Sequence, residues 1–300
     1  MNTPIPSVMT AITFDRFGDE SVLQRTTVTT PLPRESEILI EISHTSVNPV
    51  DWKIRMGYLK DMFPHIFPVI PGWDVAGTVV QVGSEVSDYK IGDRVAAYTR
   101  LPEVHNGTYA QYIAIPSDFA AKIPQNLSFE AVSGVPLVAL TALQSLSDFS
   151  KIKSGDRVLV INGAGGVGSF AIQFARQAGG IVTATTSSKN TEYVRSLGAS
   201  RVVDYTKTSI LEITDSFDFV FDALGGESLK QAMGLVRSQG QVVSIVESPD
   251  EKLASSREIH ASFHFVAPNG AQLQRILDGI ASGMTKIPSY EVLSINDARK

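Results

Sequence analysis

Arg157-Val158-Leu159-Val160-Ile161-Asn162-Gly163-Ala164-Gly165-Gly166-Val167-Gly168-Ser169-Phe170-Ala171-Ile172 is the stretch on which the reading of this chain turns. Its opening is a near-continuous apolar run, the pattern of a strand buried on both faces of a parallel sheet. Gly163-x-Gly165-x-x-Gly168 follows, and then an apolar helix predicted over Val167 to Ala178 and stopped by Gly179-Gly180. The first glycine permits a tight turn, the second a close approach of backbone to a pyrophosphate, the third the packing of helix on strand. The helix start adds free N–H groups and a partial positive charge, which suit phosphate oxygens. A ligand-free glycine turn is the alternative. Strand, turn, helix and a second strand at Ile181 to Thr185 all fall in order, which favours a dinucleotide cradle from Gly163, Gly165, Gly166, Val167 and Gly168.

Further strands are predicted at Arg201 to Val203, Phe217 to Phe221 and Gln241 to Ile245, with helices at Glu192 to Leu197 and Ser228 to Val236. That alternation is the signature of a parallel α/β sheet. Leu273, Ile276, Leu277 and Ile280 mark one face of an amphipathic helix. The segment after the second strand, Thr185-Thr186-Ser187-Ser188-Lys189-Asn190, identifies the cofactor. A carboxylate about twenty residues beyond the glycines would hold the ribose hydroxyls of NADH. None occurs in this segment, while Ser187, Ser188 and Lys189 suit a 2′-phosphate, so NADPH is expected. The competing reading makes Ser188 a helix cap and Lys189 a solvated surface charge.

Toward the N-terminus the texture is β-rich. Short strands are predicted at Ile38 to Ile42, Val75 to Val82, Arg94 to Tyr98 and Tyr109 to Ile115, punctuated by Gly72, Gly83, Gly92-Asp93 and Asn106-Gly107. They suggest a compact barrel or sandwich. A chain of 300 residues exceeds what one hydrophobic core usually serves, so two domains are expected.

Composition narrows the function. The net charge of -5 and the lack of a Lys/Arg run speak against nucleic acid. No apolar run is long enough to cross a bilayer, and Met1 to Phe17 lacks the pattern of a signal peptide. A cytoplasmic enzyme is expected. With no cysteine, disulfides and thiolate-ligated zinc are excluded. Of the five histidines only His260 and His264 stand four apart, in a Phe- and Val-rich segment that reads as strand, without a carboxylate beside them. No metal site is expected. Ser294 to Lys300 reads as the cap and first turn of a helix, which raises the expectation of truncation.

The short motifs now fall into one pattern. Val47-Asn48-Pro49-Val50-Asp51-Trp52-Lys53, Pro71-Gly72-Trp73-Asp74-Val75-Ala76-Gly77, Gly92-Asp93-Arg94-Val95 and Gly107-Thr108-Tyr109-Ala110-Gln111-Tyr112 come first. Pro136 to Ala142, the Gly163 to Gly168 loop, Ser196-Leu197-Gly198-Ala199 and Asp204-Tyr205 complete it. Together they resemble the zinc-free quinone and alkenal/enone oxidoreductase branch of the medium-chain dehydrogenase/reductases. The resemblance implies an α/β chain of two parts. Residues 1–124 would form a GroES-like β-barrel catalytic domain, completed by about 266–300, and 125–265 a Rossmann domain with a doubly wound parallel sheet. It implies NADPH, a small electrophilic partner and a homodimer. Where zinc-dependent relatives carry Cys and His, this chain has the Asn48 region and Trp73.

The resemblance also implies roles. Ser187, Ser188, Lys189 and Tyr205 would contact the 2′-phosphate, although Tyr205 could equally be core. Leu224, Gly225, Phe265 and Val266 would line the nicotinamide end. Hydride transfer to a quinone or α,β-unsaturated carbonyl leaves negative charge on an oxygen, which donors must stabilise where no zinc does. Asn48, Lys53, Tyr58 and Thr141 are the candidate donors. Alternatively Asn48 and Asp51 only cap a loop, Tyr58 sits on a rim, and positioning of the cofactor supplies most of the acceleration. A non-catalytic NADPH-binding protein is the other functional class this sequence allows.

Overall fold

A computed structural model describes residues 4–147 and 152–299. The chain divides into two units, 1–137 with 268–300, and 138–267.

The first unit is antiparallel. β1 (Val8–Thr13) pairs with β2 (Gln24–Thr29). A second sheet joins β3 (Glu37–Thr45), β4 (Asp74–Val82), β5 (Arg94–Tyr98), β6 (Tyr112–Pro116) and β7 (Ala120–Lys122) in the order β6-β3-β4-β5-β7. A bridge between Ala11 and Ala110 ties the two sheets together. Alternation places Ile38, Ile40, Val75, Val79, Val95, Ala97, Ile113 and Ile115 in one core. Gly77 of β4 lies tight against β3: a β-carbon there would stand 2.2 Å from the Glu41 carbonyl oxygen.

This unit also holds α1 (Pro49–Arg55), α2 (Phe129–Ser133) and the first residues of α3 (Pro136–Ser147), and the returning chain adds one more helix. The expected boundary after residue 124 moves to 137, because α2 packs on β3 and β4 rather than on the parallel sheet.

The second unit holds β8 (Arg157–Val160), α4 (Gly166–Gln177), β9 (Ile181–Thr186), α5 (Thr191–Ser196), β10 (Arg201–Asp204) and β11 (Phe217–Asp222). α6 (Gly226–Met233), β12 (Val236–Ser244), α7 (Glu251–Ser256) and β13 (His260–Phe263) follow. All six strands run parallel in the order β10-β9-β8-β11-β12-β13, which is the Rossmann order. Leu159, Ile161, Phe217, Val220, Met233 and Val242 form the centre of its core.

Three boundaries expected in this unit are corrected. The helix predicted to Val236 ends at Met233, and β12 starts at Val236 instead of Gln241. Leu235 and Val236 continue an apolar pattern that suits helix and strand alike, and the register shift between Phe217 and Phe219 lets the strand begin early. The segment of His260 and His264, expected as strand, is strand only to Phe263, so His264 lies beyond it.

The chain then returns to the first unit at Pro268. There α8 (Gly270–Ala281) buries Leu273, Ile276, Leu277 and Ile280, the predicted face. Each such side chain contributes about 1.5–3 kcal/mol of gross apolar burial. Its Gln274 amide accepts from Lys122 N at 2.7 Å and donates to Lys122 O at 3.1 Å, closing the open edge of β7. The predicted helical turn near the C-terminus is a short 3₁₀ turn, Ile295–Asp297, capped by Ser294; Lys300 lies outside the described residues.

Candidate functional site

The glycine turn is built by its own backbone. β8 delivers Asn162 in the left-handed region, φ 62, where asparagine is better tolerated than most residues. Asn162 N donates to Thr185 Oγ1 at 3.1 Å and Gly163 N to Thr185 O at 2.9 Å, which ties the turn to the end of β9. Gly165 N donates to Asn162 O at 3.0 Å and so tightens the turn. A β-carbon on Gly168 would stand 2.1 Å from Asn162 O, and one on Gly163 2.9 Å from the Ala184 side chain. These are the close approaches the glycine spacing predicts. Gly165 occupies the N-cap of α4 and brings no side chain to satisfy the first-turn N–H groups, so Gly166 and Val167 open a helix start suited to phosphate. The cradle fits a dinucleotide.

The far rim differs from the expectation in one respect. No acid lies in the segment after β9, but β10 supplies one from the side. The pairing of Asp204 with Thr186 sets that carboxylate beside the turn, where it accepts the Ser188 hydroxyl. Ser188 therefore spends its hydrogen on Asp204 and holds the turn. Thr206 gives Asp204 Oδ1 both its backbone N–H, at 3.0 Å, and its hydroxyl, at 2.6 Å. The Ser188 and Thr206 bonds hold the Asp204 carboxyl down at about 2. Lys189 and Tyr205 are exposed on the same rim, Tyr205 at 60%. That exposure removes the core reading of Tyr205.

On the other side of β8, at the same C-terminal edge of the sheet, Asp222 closes β11. Its buried carboxylate accepts from Leu224 N at 3.3 Å, Gly225 N at 3.0 Å and Ser244 Oγ at 2.8 Å. Burial raises its pKa. This residue fixes the Leu224-Gly225 turn, and sequence reasoning missed it; its place at the end of an apolar strand was the available signal. The segment carrying Phe265 and Val266 is held by Gln144 of α3, which accepts from Ala267 N at 2.9 Å and donates to Ala267 O at 2.8 Å. The same helix carries buried Thr141, and its Val138 lies 3.1 Å from the place of a β-carbon on Gly166. Thr141 is thus on a helix packed against the cradle.

The remaining donors lie in the first unit. Asn48 caps α1, and its backbone N–H donates to Asp51 Oδ2 at 2.7 Å. Its side-chain nitrogen has two hydrogens. One goes to Ser46 Oγ at 2.9 Å and the other to Asp74 Oδ2 at 2.8 Å. Both are engaged, and Asn48 braces α1 against Ser46 and Asp74. Asp74 also accepts from Ser46 Oγ at 2.7 Å and from Leu137 N at 2.8 Å. Burial pushes Asp51 up to about 7 and Asp74 up to about 6, and the charge of Asp74 adds to the rise at Asp51. The structure brings Lys53, Trp52 and Tyr58 together on and just beyond α1. Lys53 Nζ lies 5.9 Å from the Trp52 ring centroid, and Tyr58 stands edge-on to that ring at 5.6 Å. Tyr58 is 64% exposed.

Zinc does not fit this unit. Trp73 is buried between the rings of Phe63 and Tyr98, the Asn48 amide is fully engaged, and the chain has no thiolate. Among the described residues no group of three His, Asp or Glu side chains could hold a metal ion, and no helix is long and apolar enough to cross a membrane.

A parallel sheet in this order, a glycine cradle and an antiparallel partner unit define a two-part nucleotide-dependent oxidoreductase fold. Residues 34–125 match the model of the alcohol dehydrogenase GroES-like domain, and residues 166–267 that of the zinc-binding dehydrogenase. The chain is 36% identical to an NADPH-dependent alkenal/one oxidoreductase of Arabidopsis thaliana over 94% of its own length and 72% of that protein's. It is 36% identical to a 2-methylene-furan-3-one reductase of Solanum lycopersicum over 94% of this chain and 71% of that one. A quinone oxidoreductase from Coxiella burnetii superposes with a TM-score of 0.88 at 31% identity, covering 97% of this chain and 93% of that one. The chain belongs to the medium-chain dehydrogenase/reductase family.

Proposed function

We propose that the chain is an NADPH-dependent oxidoreductase that reduces a quinone or an α,β-unsaturated carbonyl without zinc. The observation that carries the proposal is the glycine cradle on the Rossmann-ordered sheet, with Lys189 and Tyr205 on its rim. The relatives' names supply the acceptor class: an alkenal or enone, a methylene-furanone and a quinone each carry a conjugated carbonyl that accepts hydride.

Bound NADPH supplies the hydride. The chain's residues do the rest. Gly165, Gly166 and Val167 receive the pyrophosphate on the first turn of α4. Ser187, Lys189 and Tyr205 take the 2′-phosphate. The turn held by Asp222 and the segment held by Gln144 line the nicotinamide end through Leu224, Gly225, Phe265 and Val266. Lys53 meets the negative charge that develops on the acceptor's oxygen, as an enolate or a hydroquinone anion, with Tyr58 and Thr141 as further donors. Asn48 and Asp51 keep α1, and with it Lys53, in place. A homodimer and a cytoplasmic location complete the proposal, to be tested by light scattering and cell fractionation.

The deciding experiment follows the loss of NADPH absorbance with a simple quinone, a short alkenal and a saturated aldehyde. Turnover of the quinone or the alkenal with preference for NADPH over NADH is expected. Tight NADPH binding without turnover of any acceptor would replace the enzyme with a binding protein.

A further inference from the structure

A carboxylate beside the adenosine end of a Rossmann sheet ordinarily accepts ribose hydroxyls and selects NADH. Asp204 stands at that end. It closes β10 in register with Thr186, which closes β9, and Tyr205 N donates to Thr186 O at 3.1 Å. Its capacity is already committed. A carboxylate has about four lone-pair sites. Oδ1 accepts the N–H and the hydroxyl of Thr206; Oδ2 accepts the Ser188 hydroxyl and has Lys207 Nζ at 3.5 Å. Ser188 Oγ and Thr206 Oγ1 stand 3.2 Å apart, so the two turns meet directly as well.

We infer that Asp204 is a specificity-determining positioning residue: it is withheld from the ribose and instead clamps the turn after β9 to the turn after β10, so that Lys189, Tyr205 and Lys207 share one cationic, hydrogen-bonding rim for the 2′-phosphate. Lys189 belongs to the first turn, Tyr205 and Lys207 to the second, and the bonds of Ser188 and Thr206 to one carboxylate fix one turn against the other. The carboxylate's own charge is offset by Lys207. Without the clamp, the two turns still follow their strands, but the distance between Lys189 and Tyr205 is no longer set. The loss falls on the one cofactor that carries a 2′-phosphate. The oxygens of this acid, one strand over from the place of a ribose-binding acid, thus serve the cofactor that carries the phosphate.

The inference rests on the NADPH reading above, and its test separates the two. Dissociation constants for NADPH and NADH are measured by cofactor fluorescence on the full chain, in parallel with the melting temperature of each apo protein. The unaltered chain should bind NADPH at least tenfold more tightly than NADH; equal affinity would sink the cofactor reading, and this inference with it. Asp204→Ala should weaken NADPH about tenfold and leave NADH within about twofold, because two or three side-chain hydrogen bonds that matter only to the phosphate rim are gone. Asp204→Asn keeps one acceptor oxygen for Thr206 and offers an amide N–H to the Ser188 hydroxyl oxygen, and should restore most of the preference. Ser188→Ala removes one clamp bond without touching the acid and should reproduce part of the loss, which keeps the test open if Asp204→Ala folds poorly. Equal weakening of both cofactors in Asp204→Ala and Ser188→Ala would assign these residues to folding alone. Tighter NADPH binding in Asp204→Asn would show the acid to be a repulsive filter. Either result overturns the clamp.

Discussion

Replacing Asp51 by asparagine removes a buried carboxylate whose charge the folded chain opposes. Asp51 titrates at its ordinary 3.8 when exposed, and its pKa in the folded chain is raised to about 7, chiefly by burial. Between those values the native chain holds a proton that the unfolded chain has released, so the stability due to this group falls as pH rises through that window and levels off above it. Integrating the two titrations from pH 5 to pH 8 gives a loss of about 2–3 kcal/mol. The amide introduced by Asp51→Asn cannot ionise, so the variant lacks this loss, and its oxygen can still accept from Asn48 N. Any offset from the new amide hydrogens is independent of pH. The assay is urea unfolding followed by tryptophan fluorescence, since both tryptophans, Trp52 and Trp73, lie in the unit that holds Asp51. With a slope of about 2 kcal/mol per molar urea, the gap between the two midpoints should change by about 1 M from pH 5 to pH 8, in favour of the variant. Histidines titrate in both proteins and cancel in the difference. Parallel pH profiles would refute the buried, proton-holding Asp51 described above.

Gly168→Ala forces a β-carbon against the Asn162 backbone, which has no flexible side chain to yield. It should cost about 1–3 kcal/mol of stability and, by displacing the turn, weaken NADPH at least tenfold, read by melting and by cofactor fluorescence. Lys53→Met and Asn48→Ala separate chemistry from bracing. The first should lower kcat about a hundredfold with NADPH affinity unchanged, while the second should lose about 1–3 kcal/mol of stability as Asp74 and Ser46 lose a partner. Full turnover by Lys53→Met at saturating NADPH would remove Lys53 from the mechanism.

The cradle was legible because it is local: strand, glycines and helix are contiguous from Arg157 to Gln177, and each glycine answers a contact within the motif or with the adjacent strand. The predicted face of α8 was legible for the same reason, a period of 3.6 carried by four residues. What escaped was settled by pairing between distant segments. Asp204 reaches Ser188 only because β10 lies beside β9 in one particular register. The exhaustion of the Asn48 amide requires Asp74, from a strand 26 residues on. Gln144 and Ala267 are 123 residues apart. The early start of β12 escaped differently: its first residues are stranded by a register shift that no local pattern announces.

The bonds that shape the Asn162–Gly165 turn run to Thr185 on the neighbouring strand and to Asn162 itself. The turn is therefore set before a dinucleotide arrives. Little of the affinity is consumed in ordering the loop, and the encounter rate has no local folding step to wait for at this point. Discrimination between cofactors at this end is then expected as a difference in residence time more than in speed of capture.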